Sequence, residues 1–178
     1  MCEEILLSSG SVDEAYERYG LRANRAGTYL GTFRAVAKKY PHKHAAEILA
    51  GLVKTTPGEE GKWFAAAKEA RLYDEALTLA GQMPCDPKTL ARAARDFADE
   101  QPAFALGTGL LALHWLGQCY GYEITGADVW AAYDATMKAA EKLGMVRETR
   151  ERLRSMITAR MPGGDFIKKI LGRQLDLL

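Results

Sequence analysis

A chain of 178 residues, 48% apolar and 26% charged, is long enough for one sizeable domain or for a run of several helix pairs. Its net charge of +1 gives no overall pull toward nucleic acid or membrane, and Cys2, Cys85 and Cys119 are too few and too scattered for a disulfide framework. No apolar run approaches the roughly 18–20 residues that span a bilayer, and Glu3 and Glu4 stand where a secretory leader would carry Lys or Arg, so the expectation is a soluble, cytoplasmic protein.

Helical periodicity runs the length of the chain and predicts helices over 3–8, 12–23, 27–39, 42–55, 59–70, 73–82, 87–99, 102–119, 126–143, 146–160 and 165–176. In chain order, Ser11-Val12-Asp13-Glu14 has the spacing of a capping box. Tyr29, Phe33, Val36 and Ala37 share one face of the next long helix. Thr56-Pro57-Gly58-Glu59 offers a start with proline at the first helical position, and Asp86-Pro87 another. Thr125-Gly126-Ala127-Asp128 is a further capping candidate, followed by the stripe Val129, Tyr133, Met137 and Ala140. Asp165 opens the last helix. β-branched residues are scattered and strict alternation is absent, so no sheet is expected. Loops are short and no linker or low-complexity stretch appears, which predicts antiparallel hairpins in a single domain over 1–178.

A short phrase recurs about every thirty residues, the mark of a stacked helix-hairpin array. Its copies are Val12-Asp13-Glu14-Ala15-Tyr16, His42-Lys43-His44-Ala45-Ala46, Tyr73-Asp74-Glu75-Ala76-Leu77 and Pro102-Ala103-Phe104-Ala105-Leu106. Arrays of this kind offer extended surfaces to partners. When Ala15 is aligned on Ala76, Cys2 falls opposite Trp63, so the first copy is cut short. At the other end Phe166, Ile167, Ile170, Leu171, Leu175 and Leu178 form an apolar face that could meet another domain or chain. Together these predict a fragment of a longer protein.

Leu72-Tyr73-Asp74-Glu75-Ala76-Leu77 resembles the turn of the tetratricopeptide repeat, with Trp63 and Ala67 near that pattern's large and small positions. The spacing departs from the repeat's roughly 34 residues, and Arg71 stands where the repeat carries glycine. The resemblance implies an all-α, right-handed, degenerate tetratricopeptide-like solenoid. A second likeness runs through Arg22-Ala23-Asn24-Arg25, Thr28-Tyr29-Leu30, Phe33-Arg34 and Gly58-Glu59-Glu60-Gly61-Lys62-Trp63-Phe64. These segments look like the C-terminal helical region of uncharacterised bacterial proteins, a likeness that implies no particular activity.

Residue types that could carry chemistry have plainer explanations. His42 and His44 are two apart, so on a helix they diverge by about 200° and cannot chelate one ion; no metal or cofactor is expected. His114 and Cys119 are five apart and read as a core histidine and a buried thiol. Cys85, between Pro84 and Pro87, is the cysteine expected to be exposed. No glycine-rich phosphate loop exists, and Asp13-Glu14, Glu59-Glu60 and Asp74-Glu75 sit in first turns, where the helix dipole accounts for them. From Val146 onward eight Lys/Arg face four Asp/Glu, a pointer to an acidic partner. Arg147, Arg150 and Arg154 share a side there, although Arg147–Glu151 and Glu148–Arg152 have the spacing of surface ion pairs. Arg22, Arg25, Arg34, Lys38 and Lys39 form a second basic zone.

The function this predicts is a protein–protein interaction module, not an enzyme, that takes a partner helix or peptide, or another domain of the parent chain. The residues expected to contact it are Tyr29, Arg34, Lys38, Trp63, Tyr120, Tyr122 and Arg150. Nucleic-acid binding through the two basic zones is the alternative. The half after Pro102, where the Tyr120-Gly121-Tyr122 cluster and two long helices break the period, is the first place to look.

Overall fold

The computed structural model describes residues 2–159 and 161–177. Among the described residues every regular element is helical and there is no strand, as the sequence periodicity predicts. Contacts gather the chain into two compact units, Met1–Met83 and Pro84–Leu178.

The first unit opens with α1 (Cys2–Ser8) and α2 (Val12–Ala15). The expected capping box does not form. Ser11 makes no side-chain cap, its hydroxyl accepts from Ser9 Oγ at 3.4 Å, and the Glu14 carboxylate is drawn instead to Arg18 at 2.8 Å. The predicted helix over 12–23 is interrupted by a π-helical turn at Tyr16–Gly20 before α3 (Leu21–Ala23). Gly20 sits where the rings of Tyr16 and Tyr40 meet edge to face, 5.1 Å apart; a Cβ there would come within 2.8 Å of Tyr16 and 3.1 Å of Tyr40. Single π-turns of this sort concentrate at functional regions.

Next come α4 (Tyr29–Lys39) and α5 (Ala45–Lys54). Thr28 caps α4 by accepting from the Gly31 amide at 2.9 Å, and Phe33 and Val36 fill the core face. The start expected at Thr56-Pro57 is a turn instead, followed by a 3₁₀ segment (Glu60–Trp63) that leads into α6 (Phe64–Glu69). Thr56 turns its hydroxyl to the Trp63 indole N–H, which donates to it at 2.8 Å. The chain reverses through Arg71, whose φ of 60° lies in the left-handed region, and enters α7 (Tyr73–Gln82). The Leu72 and Arg71 amides donate to the Ala67 and Lys68 carbonyls, both at 3.0 Å, closing α6 as a Schellman turn. Ala67 and Ala76 are fully buried where the two helices pack.

The second unit is built on α8 (Pro87–Phe97), α9 (Pro102–Gly117) and α10 (Gly126–Leu143), each in contact with the other two. Asp86 caps α8, accepting from the Thr89 amide at 2.8 Å with proline at the first helical turn. The Thr125–Asp128 box at the start of α10 forms, the Asp128 carboxylate accepting from the Thr125 amide at 2.8 Å. α9 is apolar nearly all round and lies centrally, covered also by α11 (Val146–Thr158) and α12 (Gly164–Leu171). Part of the apolar face of the last helix is spent inside its own unit, whereas Phe166 is 42% exposed and Ile170 half-buried. Ile167, Leu171 and Leu175 are fully buried there, while Asp165, Lys169 and Arg173 stay exposed. Each such aliphatic side chain contributes about 1.5–3 kcal/mol when buried. Leu178, part of the same predicted stripe, lies outside the described residues.

Candidate functional site

Two of the residues singled out in the sequence, Tyr29 and Trp63, meet in the first unit. Their rings are 4.8 Å apart and nearly perpendicular. The Tyr29 hydroxyl donates to Glu59 in a short hydrogen bond, and Lys62 reaches the same carboxylate at 2.6 Å while its ammonium lies 5.5 Å from the Tyr29 ring. That hydrogen bond, with burial added, raises the Tyr29 phenol above its usual value; the Lys62 contact, then Tyr29's, lowers the Glu59 carboxyl. Because Trp63 is only 2% exposed, it serves as a wall and not as a contact platform.

Tyr29, Glu59 and Trp63 line an open cleft of about 220 Å³, closed on its other sides by Leu21, Arg25, Thr28 and Thr55. The loop before α4 is fixed there, since the Ala26 amide donates to Thr32 Oγ1 at 2.9 Å. Leu21, Arg25 and Thr55 also border a second, broader groove of about 940 Å³ between the π-turn and the end of α5. Arg18, Arg22, Arg25 and Lys54 line that groove against a single carboxylate, Glu17. Arg18 is paired with Glu14, outside the groove. Among the described residues no ion pair or hydrogen bond engages the side chains of Arg22, Arg25 or Lys54. Gly51 on α5 lets Leu21 come close; a Cβ there would sit 2.7 Å from the Leu21 methyl group.

The remaining predicted residues are placed separately. Arg34 is exposed and forks onto Glu69, its Nε 2.7 Å from Oε1. Lys38 is exposed on α4, and its neighbour Lys39 is committed inward. Tyr120 and Tyr122 belong to the second unit, in the loop after α9, at 38% and 81% exposure. That loop holds Cys119, Gly121 and Glu123 at positive φ and is pinned where Lys88 Nζ donates to the Glu123 carbonyl at 3.1 Å. Arg150 lines an open groove along α11 with Arg147, Arg154, Glu148 and Glu151. The spaced pairs Arg147–Glu151 and Glu148–Arg152 are not among the described ion pairs. Instead Arg147 meets its neighbour Glu148 at 3.3 Å, and Arg154 turns to the Leu175 carbonyl and the Asp176 carboxylate.

The cysteine assignments reverse. Cys85 is 5% exposed, and burial, followed by the nearby Asp86 charge, pushes its thiol up to about 12, which makes it inert; Cys119 is exposed. His44 precedes α5 and His42 lies 3.4 Å from the exposed Asp13 carboxylate. Among the described residues no three metal-ligating side chains gather, and no helix is long and apolar enough to cross a membrane.

A polar cluster in the first unit was not legible in the sequence. Glu3 is buried and accepts from Tyr40 in a short bond, from Lys39 at 2.6 Å and from Asn24 at 2.7 Å. Burial pushes its carboxyl up, but the bonds from Lys39, Tyr40 and Asn24 outweigh that and hold it below the usual range. Burial, and then the Glu3 contact, raises the Tyr40 phenol. The partners of Glu3 come from the ends of two other helices, α3 and α4, and no local spacing announces them. Compared with family models, with curated proteins and with solved structures, the chain matches none.

Proposed function

We propose that this chain is a cytoplasmic protein–protein interaction module, built on tetratricopeptide-like helix hairpins and working by binding without making or breaking bonds. The observation that carries the reading is the cleft beside Tyr29 and Trp63. Its walls are already fixed by Tyr29–Glu59, Trp63–Thr56 and Thr28–Gly31 bonds, so a partner would bind without ordering them. The hairpin of the 3₁₀ segment, α6 and α7 supports the family likeness. Ala67 and Ala76 are buried at its crossing, and Arg71 adopts the left-handed conformation that glycine takes in such turns.

Replacing Thr55, on the rim of the cleft, with a photoreactive benzoylphenylalanine tests this in cells. A discrete protein adduct at position 55, absent when the same group replaces the exposed Glu75, is the expected result. An adduct that nuclease removes, or none at all, would overturn the reading.

Nucleic-acid binding is the second reading, and the row Arg147, Arg150 and Arg154 along α11 is what favours it. It is the weaker one, because Glu148 and Glu151 share that groove and Arg154 is already committed to the C-terminal segment.

A further inference from the structure

The groove and the cleft of the first unit differ in chemistry and are joined side to side. We infer that together they take an acidic, extended segment of a partner protein, its carboxylates against Arg22, Arg25 and Lys54 and an apolar side chain in the cleft beside Tyr29. This rests on the interaction reading and names the kind of partner.

Charge complementarity is the first argument. Arg22, Arg25 and Lys54 border one groove, and none has a partner among the described residues, whereas Arg34 and Lys39, of the same predicted basic zone, are consumed by Glu69 and Glu3. Three uncompensated cations around one concavity focus a positive potential. Only Glu17 opposes them within the groove. The second argument is shape. Leu21, Arg25 and Thr55 border both cavities, so a chain lying in the groove can place its next side chain in the cleft. The cleft offers Tyr29, Leu21 and Leu52 as apolar lining, with Thr28 and Thr55 beside them.

The aromatic geometry separates a peptide from single-stranded nucleic acid, which would also suit a basic groove. Recognition of unpaired bases relies on open aromatic faces for stacking. Trp63 is buried, and Tyr29 is held against Trp63 and Lys62 and tied through its hydroxyl to Glu59. No stacking platform is left in the cleft, and the groove adds a single aromatic side chain, Tyr19, where successive bases would need a series. A side chain from a peptide needs only the space.

The test is fluorescence polarisation on the whole protein at low salt. The probe is a short fluorescein-labelled peptide of consecutive glutamates followed by a leucine. Its controls are the glutamine version of that peptide and an oligothymidylate of equal charge. The glutamate peptide should bind, the glutamine peptide should not, and affinity should fall as salt screens the groove. Arg22→Glu with Arg25→Glu and Lys54→Glu should weaken binding roughly tenfold or more. All three side chains are free of partners, so the variant should keep the wild-type melting transition. Equal binding to the charge-reversed variant, tighter binding of the oligothymidylate, or no peptide binding would each overturn the proposal. A protein adduct at position 55 with no glutamate-peptide binding would leave the interaction reading standing and remove only the acidic partner.

Discussion

Glu3 shows how one buried charge can organise several elements. Its carboxylate gathers the Tyr40 hydroxyl from the end of α4, the Lys39 ammonium and the Asn24 amide, and Tyr40 itself is fully buried. Removing the carboxylate leaves a phenol with no acceptor and an ammonium with no counter-charge. Glu3→Ala should therefore cost about 2–4 kcal/mol at neutral pH, the range for orphaning buried partners of a charged group. The folded-state carboxyl lies below its ordinary value of 4.5, so its contribution is complete above that value and is lost as pH falls through the lower folded-state value. Urea unfolding of wild type and Glu3→Ala should show a wide stability gap at neutral pH that narrows in acid. A gap of the same width at every pH would show that packing, not the charge, is responsible.

Among the elements, α9 and α10 pack closely at Gly109, which is buried against Thr136. A Cβ at 109 would lie 3.0 Å from the Thr136 Cβ and 3.1 Å from its Cα, a backbone atom that cannot swing aside. Alanine in place of glycine would gain about 1 kcal/mol of helix propensity, but overpacking of this kind costs about 1–3 kcal/mol. Gly109→Ala should be net destabilising, by up to about 2 kcal/mol, and a thermal melt above the wild-type transition would refute the close packing. The Thr125–Asp128 and Asp86–Thr89 caps were legible in the sequence, since donor and acceptor are three residues apart. Ser11 has the same spacing, yet Glu14 found Arg18 a turn away. The π-turn at Tyr16–Gly20 was hidden because its apolar spacing equals that of an ordinary helix; what marks it is the approach of Tyr40, from another helix.

At the scale of the molecule, the helical class followed from periodicity alone, whereas the pairings that make a site depend on tertiary contact. Tyr29 and Trp63 could be chosen as interface residue types, but Tyr29 and its anchor Glu59 are 30 residues apart and joined only by the fold. Cys85 looked exposed because it lies between prolines, and Cys119 looked buried because its neighbours are apolar; the packing of the second unit inverts both. Basic residues that form one zone in sequence divide in space, some into ion pairs and some onto the groove. That division moves the focus of function from the aromatic loop after α9 to the first unit. The most direct measurement is a titration of the ¹⁵N-labelled protein with the glutamate–leucine peptide, followed by amide chemical shifts. The account predicts shifts concentrated at Leu21–Tyr29 and Gly51–Thr56, with Arg150 and Tyr122 unmoved. Shifts centred on α11 or the Tyr120–Tyr122 loop, with the first unit silent, would contradict it.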